Sequence, residues 1–345
     1  MMAKTTLVCL LSVLCLGCSP APAPAQSPTV DPAPVESSRP AGPHAVGVVV
    51  GPTLEAGVAS RVYYPAAASG GQRQPESFSE GHRTGLERRF GTGVAEALGR
   101  ALTAARWNAP RAEGRYPLVV FQPGAEMAAT DYRLLLEDLA SRGYIVLALH
   151  PDGSPRAAGE RYGQAAQELT QAVAVARAGH PTLVDADTTR VALVGHSLGG
   201  AAAVMALSGV PGAVAVNLDG DFSGATAIPP GAPVLYILGQ TDGESDGSRA
   251  RRVGAWRDVS NGAAEAVPLQ VVNLRHFDFS DAALLPHAIP YEGRRNRFGT
   301  LDGPTAHALT TDLVAGFLDG RLKRDAAAWP AALSRHPEAK PPSTW

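Results

Sequence analysis

The sequence predicts an α/β fold, a doubly wound and mostly parallel sheet with helices on both faces, and three observations carry that expectation. Short apolar runs alternate with helical patterns along most of the chain. Most of those runs are apolar at nearly every position, the pattern of strands covered by helices on both sides. Between the first two core runs lies a complete strand-helix-strand unit, whose parallel strands need such a crossover.

In chain order, Val46 to Val50 and Arg61 to Tyr64 read as two leading strands, paired antiparallel. A stretch rich in Gly, Gln, Glu and Arg follows, from Ala66 to Glu113, with one helical pattern over Val94 to Ala105. It reads as a lid or an entrance wall, or as a surface insertion with no part in substrate choice. The core strands are then Leu118 to Phe121, Ile145 to Leu149, Val191 to Val194, Val214 to Leu218, Val234 to Leu238 and Leu269 to Leu274. Tyr132, Leu135, Leu136 and Leu139 recur at helical spacing, with Thr130 or Asp131 as the start signal and Gly143 as the stop. Further helices are expected over Glu160 to Ala178, just after Ser197, and from about Thr305 to Leu322. The folded domain is thus expected over residues 44–324, with the insertion at 66–113 and a C-terminal tail at 325–345.

The beginning of the chain reads differently. Lys4 precedes an apolar run, Leu7 to Leu16, too short to span a bilayer but suited to an export signal, so residues 1–18 read as a signal peptide. The run ends in Leu14-Cys15-Leu16-Gly17-Cys18-Ser19, which resembles a bacterial lipobox with cysteine where leucine is usual. That pattern makes Cys18 the expected lipidation site and the protein a cell-envelope lipoprotein, with secretion as the alternative; Ser19 points to the outer membrane. Residues 19–43, mostly Pro, Ala and Ser, bury too little to offset their ordering entropy and read as a tether. All three cysteines, Cys9, Cys15 and Cys18, lie in the leader, so the domain has neither an internal disulfide nor a cysteine zinc site. A formal net charge of −2 supplies no basic field for nucleic acid.

Chemistry enters with Gly195-His196-Ser197-Leu198-Gly199-Gly200, which follows an apolar strand and opens a small-residue helix, Ala201 to Leu207. The pentapeptide alone is weak, but this placement is that of a nucleophile elbow, with Ser197 on the turn and Gly195 and Gly199 where neighbouring backbones approach closely. A serine hydroxyl needs a base to take its proton and an acid to orient the base. Of nine histidines, His276 alone lies beyond Ser197 directly after a strand. His196 reads as structural, His287, His307 and His336 sit in loop or helical patterns, and His150 borders the pocket region. Two acids compete, Asp219 after the strand ending at Leu218 and Asp242 shortly after the strand ending at Leu238; chain order allows both. Asp242 lies in a turn-rich acidic loop that lacks the twelfth-position carboxylate of a calcium loop, where Val253 stands.

Taken together, Arg61-Val62-Tyr63-Tyr64-Pro65, Pro117-Leu118-Val119-Val120-Phe121, Leu139-Ala140-Ser141-Arg142-Gly143-Tyr144, the elbow, Asn217-Leu218-Asp219 and His276-Phe277-Asp278-Phe279-Ser280-Asp281 resemble one family. It is the plasma-type (isoform II) platelet-activating factor acetylhydrolases and their bacterial relatives, of α/β-hydrolase fold. The resemblance runs from about Val46 to Leu318 and is poor over Ala66 to Glu113. It implies a serine-dependent carboxylic ester hydrolase acting on short-acyl or lipid esters through an acyl-enzyme, without metal or organic cofactor. It also implies Asp219 as the acid, and the backbone N–H groups of Leu198 and Ala125 as the oxyanion hole. One departure is Pro123-Gly124 where relatives commonly carry His-Gly. Two other readings stand beside it: a dienelactone-hydrolase-like or polyester-degrading, cutinase-like hydrolase, and a catalytically inactive envelope lipoprotein. The last would show a broken triad, and no member is missing here.

Overall fold

The computed structural model describes residues 40–67, 70–73, 78–100, 104–151, 161–222, 228–240, 245–261, 263, 265–285 and 297–342. The segment expected to be a signal peptide, Cys18, most of the expected tether, Asp242 and His287 lie outside the described residues.

Among the described residues ten strands form one sheet: β1 (Ala45–Val50), β2 (Ser60–Ala66), β3 (Arg106–Trp107), β4 (Tyr116–Gln122), β5 (Ile145–Leu149), β6 (Ala186–His196), β7 (Val214–Leu218), β8 (Val234–Leu238), β9 (Ala266–Val271) and β10 (Ala339–Lys340). Their order is β10-β9-β8-β7-β6-β4-β5-β2-β1-β3. From β9 across to β5 every pair is parallel, while β2 joins β5 and β1 joins β2 antiparallel. The chain leaves β4 for β5 on one side and returns to β6 on the other, so β4 and β6 flank a crevice at their C-terminal ends, where open α/β sheets expose their loops.

Among the described residues the α-helices are α1 (Glu80–Phe90), α2 (Val94–Arg100), α3 (Arg133–Ser141), α4 (Arg161–Arg177), α5 (Leu198–Met205), α6 (Asp246–Ser260), α7 (Gly303–Leu322) and α8 (Ala328–Arg335). Strand alternation sorts the core into two layers. Val119, Phe121, Val146 and Val194 face Leu135, Leu139, Leu313 and Phe317 of α3 and α7. Leu118, Val120, Leu147 and Leu193 face Leu169, Ala202, Ala203 and Trp256 of α4, α5 and α6. With both faces covered, the near-continuous apolar strands are accounted for.

Several boundaries differ from the sequence expectation. The strand expected over Leu269 to Leu274 is β9, three residues earlier. Leu274 misled because it is fully buried without being in a strand: the chain turns after Val271, with Leu274 N–H donating to the Val271 carbonyl. Pro268 is tolerated in β9 because short β10 pairs only as far as Gln270, leaving that side of Pro268 an edge. The helix expected over Val94 to Ala105 spans Val94–Arg100, and Ala105 is non-helical. Helix α3 begins at Arg133, after a 3-10 turn, Ala129–Tyr132, in which Asp131 accepts the Ala128 N–H.

The stretch after Arg324 carries structure its sequence does not announce. Trp329 of α8 stacks edge-on against Phe317 of α7, with ring centroids 5.4 Å apart, and Ala332 is fully buried against Gly316. At the other end, Ala41 and Gly42 donate their N–H groups to Asp138 and Ser141 of α3, so the last residues of the expected tether are docked.

Candidate active site

Ser197 sits between β6 and α5 with φ +55° and ψ −122°. A non-glycine residue holds such a backbone only where its surroundings over-determine it. Here a Cβ at Gly195 would collide with the Gly199 carbonyl, and one at Gly199 with the Gln122 carbonyl at the end of β4. Ser197 N–H is anchored on the Leu218 carbonyl at 2.8 Å. Its hydroxyl does not cap α5, which leaves it available to a base. The strain is regional: His150, Ser197, Asp219 and Glu126, at or just beyond the C-terminal ends of β5, β6, β7 and β4, all have positive φ.

Asp219 leaves β7 with φ +50°, its N–H held by the Ile237 carbonyl at 2.8 Å. Oδ1 accepts the Gly239 N–H at 3.0 Å, which aims Oδ2 at the neighbouring loop. There Oδ2 lies 2.7 Å from His276 Nδ1, and His276 Nε2 lies 3.1 Å from Ser197 Oγ. A carboxylate only accepts, so Nδ1 carries the proton and Nε2 is left to accept from the serine. The structure therefore brings Ser197, His276 and Asp219 into one hydrogen-bonded chain, although they are up to 79 residues apart. Such a chain can deprotonate an alcohol and stabilise the resulting imidazolium.

His276 heads a 3-10 turn, His276–Phe279, five residues beyond the end of β9. That turn is built by Asp278, whose Oδ2 accepts the N–H groups of Arg275 at 2.8 Å and Gly299 at 2.6 Å. Asp281, further along, accepts the Arg133 N–H at 2.9 Å and so ties this segment to the N-terminus of α3. Burial pushes the Asp281 carboxyl up, against the opposing pull of His307 and Arg133.

His196 is wholly buried beneath the site. Its Nε2 lies 2.7 Å from the His276 carbonyl, which can only accept, so the proton is on Nε2. Nδ1 then accepts from Tyr132 OH at 2.7 Å. Burial, reinforced by nearby His276, holds His196 well below the usual histidine range, so it is neutral. Three further histidines are occupied elsewhere: His150 bonds Glu168 at 2.7 Å, His307 the Ser280 carbonyl at 3.1 Å, and His336 Asp312 at 3.2 Å.

Leu198 is the first residue of α5, where N–H groups lack intrahelical acceptors. Ala125 lies in the loop after β4, and that loop touches the serine: a Cβ on Gly124 would stand 3.3 Å from Ser197 Cβ. The Gly124 carbonyl accepts the Met127 N–H at 3.2 Å, closing a turn and directing the Ala125 N–H to the opposite side of that trans peptide.

The sequence marked His196 as structural, which its burial bears out, but not its partners, and it did not assign roles to Tyr132 or Asp278. Asp278 had a legible signal, an acid three residues after Arg275, the residue that precedes its turn. Tyr132 had none, since its partner is 64 residues away.

The family model described as chlorophyllase matches residues 96–270, half of the chain, taking in Ser197 and Asp219 and stopping short of His276. A platelet-activating factor acetylhydrolase of Canis lupus familiaris is 42% identical over 74 residues, 21% of this chain, and the match spans 17% of that relative's length. Among solved structures, a ferulic acid esterase from Streptomyces cinnamoneus superposes with a TM-score of 0.67 at 25% identity, covering 88% of this chain and 98% of that one.

Proposed function

This chain belongs to the chlorophyllase family and is an esterase-type α/β-hydrolase, and from that premise we propose that it cleaves short-acyl or lipid esters through an acyl-enzyme formed on Ser197. The observation that carries this reading is the hydrogen-bonded chain from Ser197 Oγ through His276 to Asp219. His276 Nε2 takes the hydroxyl proton as Oγ attacks the ester carbonyl. The N–H groups of Leu198 and Ala125 receive the charge developing on the carbonyl oxygen. The proton passes from His276 to the departing alkoxide, and the alcohol leaves. Water, deprotonated by the same imidazole, then attacks the acyl-enzyme and releases the acid, returning the proton to Ser197. Asp219 keeps the imidazole in the required tautomer throughout.

The test is hydrolysis of p-nitrophenyl esters from acetate to octanoate, with ethyl ferulate as an aromatic arm and Ser197→Ala as the paired control. Activity that falls with acyl length and vanishes in the variant is expected. Wild type inactive on every ester, or a variant as active as wild type, overturns the proposal.

Envelope attachment through Cys18 is a proposal supported by the leader pattern. Labelling of the expressed full chain with palmitate, lost in Cys18→Ala, is the expected result; equal labelling of both refutes it.

A further inference from the structure

Helix α1, from the stretch of sequence that resembles the acetylhydrolases least, packs against both loops of the active site. Its first turn is capped by Ser79, and His82 bonds Asp131 at 3.0 Å with both side chains about 1% exposed, just past the loop after β4. At its other end Phe90 packs edge-on against Phe277, the residue after His276, with ring centroids 5.0 Å apart. Arg89 lies between these anchors.

The Arg89 guanidinium reaches the loop after β4 through three contacts. Nη1 donates to the Glu126 carbonyl at 3.3 Å, and Nη2 donates to Glu126 Oε2 at 3.1 Å, with a longer contact to the Ala125 carbonyl at 3.5 Å. Its Cζ lies over the Phe277 ring, 5.5 Å from the centroid. One side chain, 15% exposed, thereby touches the loop carrying Ala125 and the loop carrying His276.

That loop needs holding. Glu126 occupies the third position of the turn closed by Met127 N–H on the Gly124 carbonyl, and its φ is +57°. Type II turns take glycine there, because a side chain disfavours positive φ. Rotation of the peptide between Ala125 and Glu126 would relieve that strain and drag Ala125 with it. A guanidinium bonded to the two carbonyls and the carboxylate opposes the rotation.

We propose that Arg89 is a positioning residue that locks the Ala125–Glu126 turn, a role that rests on the reading of Ala125 as half of the oxyanion hole. It acts through the loop and touches no substrate. Arg89→Met, Arg89→Lys and the double variant Arg89→Met/Glu126→Gly test it in the full chain. With p-nitrophenyl acetate, Arg89→Met is expected to lower kcat by about tenfold or more while KM changes little. Arg89→Lys stays low, because an ammonium cannot fork across carbonyls and carboxylate. Glu126→Gly restores most of kcat in the double variant, since glycine adopts the turn without a clamp.

Hydrogen exchange of the peptide covering residues 122–128, measured without substrate, should quicken in Arg89→Met and slow again in the double variant. A rise in KM with kcat unchanged would assign Arg89 to substrate binding and overturn the proposal. Unchanged exchange, or a double variant no better than the single one, overturns it as well. If wild type hydrolyses none of the esters, the esterase reading fails, and the lock is then judged on exchange alone.

Discussion

His196 and His276, whose rings lie 4.6 Å apart, meet through the main chain: the Nε2–H of His196 donates to the His276 carbonyl at 2.7 Å. Since Tyr132 OH donates to the other nitrogen of His196 and also lies 3.4 Å from the Gly124 N–H, a single buried imidazole joins the base's backbone to the loop beside the serine.

Tyr132→Phe leaves His196 Nδ1 buried without a donor, which should cost about 1–3 kcal/mol of stability. His196→Phe, which lets the His276 loop relax, should lower kcat about ten- to a hundred-fold with little change in KM. Urea unfolding and p-nitrophenyl acetate kinetics on the same preparations check both. An unaltered kcat in His196→Phe would limit His196 to packing.

His196 also shapes the pH dependence of stability. Its folded pKa is depressed by burial, so below the usual value of 6.5 the unfolded chain binds a proton that the folded chain refuses. The contribution is nil above that pH and grows increasingly unfavourable as pH falls, by about 1.4 kcal/mol per unit for one proton, until the folded pKa is reached. His307, buried and shifted in the same direction, adds the same slope. Unfolding free energies between about pH 5 and 8 should therefore drop on the acid side in wild type and drop less in His196→Gln.

Asp219→Asn should lower kcat by about 10⁴-fold, because an amide that presents its NH₂ toward Nδ1 stabilises the wrong imidazole tautomer. Asp242→Asn should leave the rate near wild type. Parallel kinetics, with circular dichroism to confirm folding, decide between the two acids; the reverse pattern transfers the role to Asp242.

Gly199→Ala should be destabilising at the upper end of overpacking costs, about 3 kcal/mol or more, and should also abolish turnover. The added methyl collides with the Gln122 carbonyl, so β4 and the elbow must separate. Thermal unfolding of the variant and its ester hydrolysis test this, and a wild-type midpoint would contradict the close approach.

The core strands and the elbow were legible because their signals are local: apolar runs of strand length, and glycines at fixed offsets from Ser197. His276 was reachable by elimination among histidines, though by way of a strand that ends at Val271 rather than Leu274. Asp219 and Asp242 were equally spaced for the task in chain order, and the resemblance rather than periodicity favoured Asp219. Helices α1 and α6 escaped because their polar sequences have weak apolar stripes, and α8 because it is only eight residues long; packing of α1 on Phe277, of Trp256 in α6 on Phe222 and Tyr236, and of α8 on α7 supplies what local propensity does not.

The order of residues was thus sufficient for the fold class, for the position of Ser197 at a strand-to-helix turn, and for a short slate of partners, since each depends on neighbours within a few positions. Bringing Asp219 to His276, burying His196 under both loops, and laying Arg89 across the Ala125 turn required the folded sheet. These contacts join residues 36 to 80 apart, and at such separations strand order and helix packing, which no local pattern encodes, determine which side chains meet.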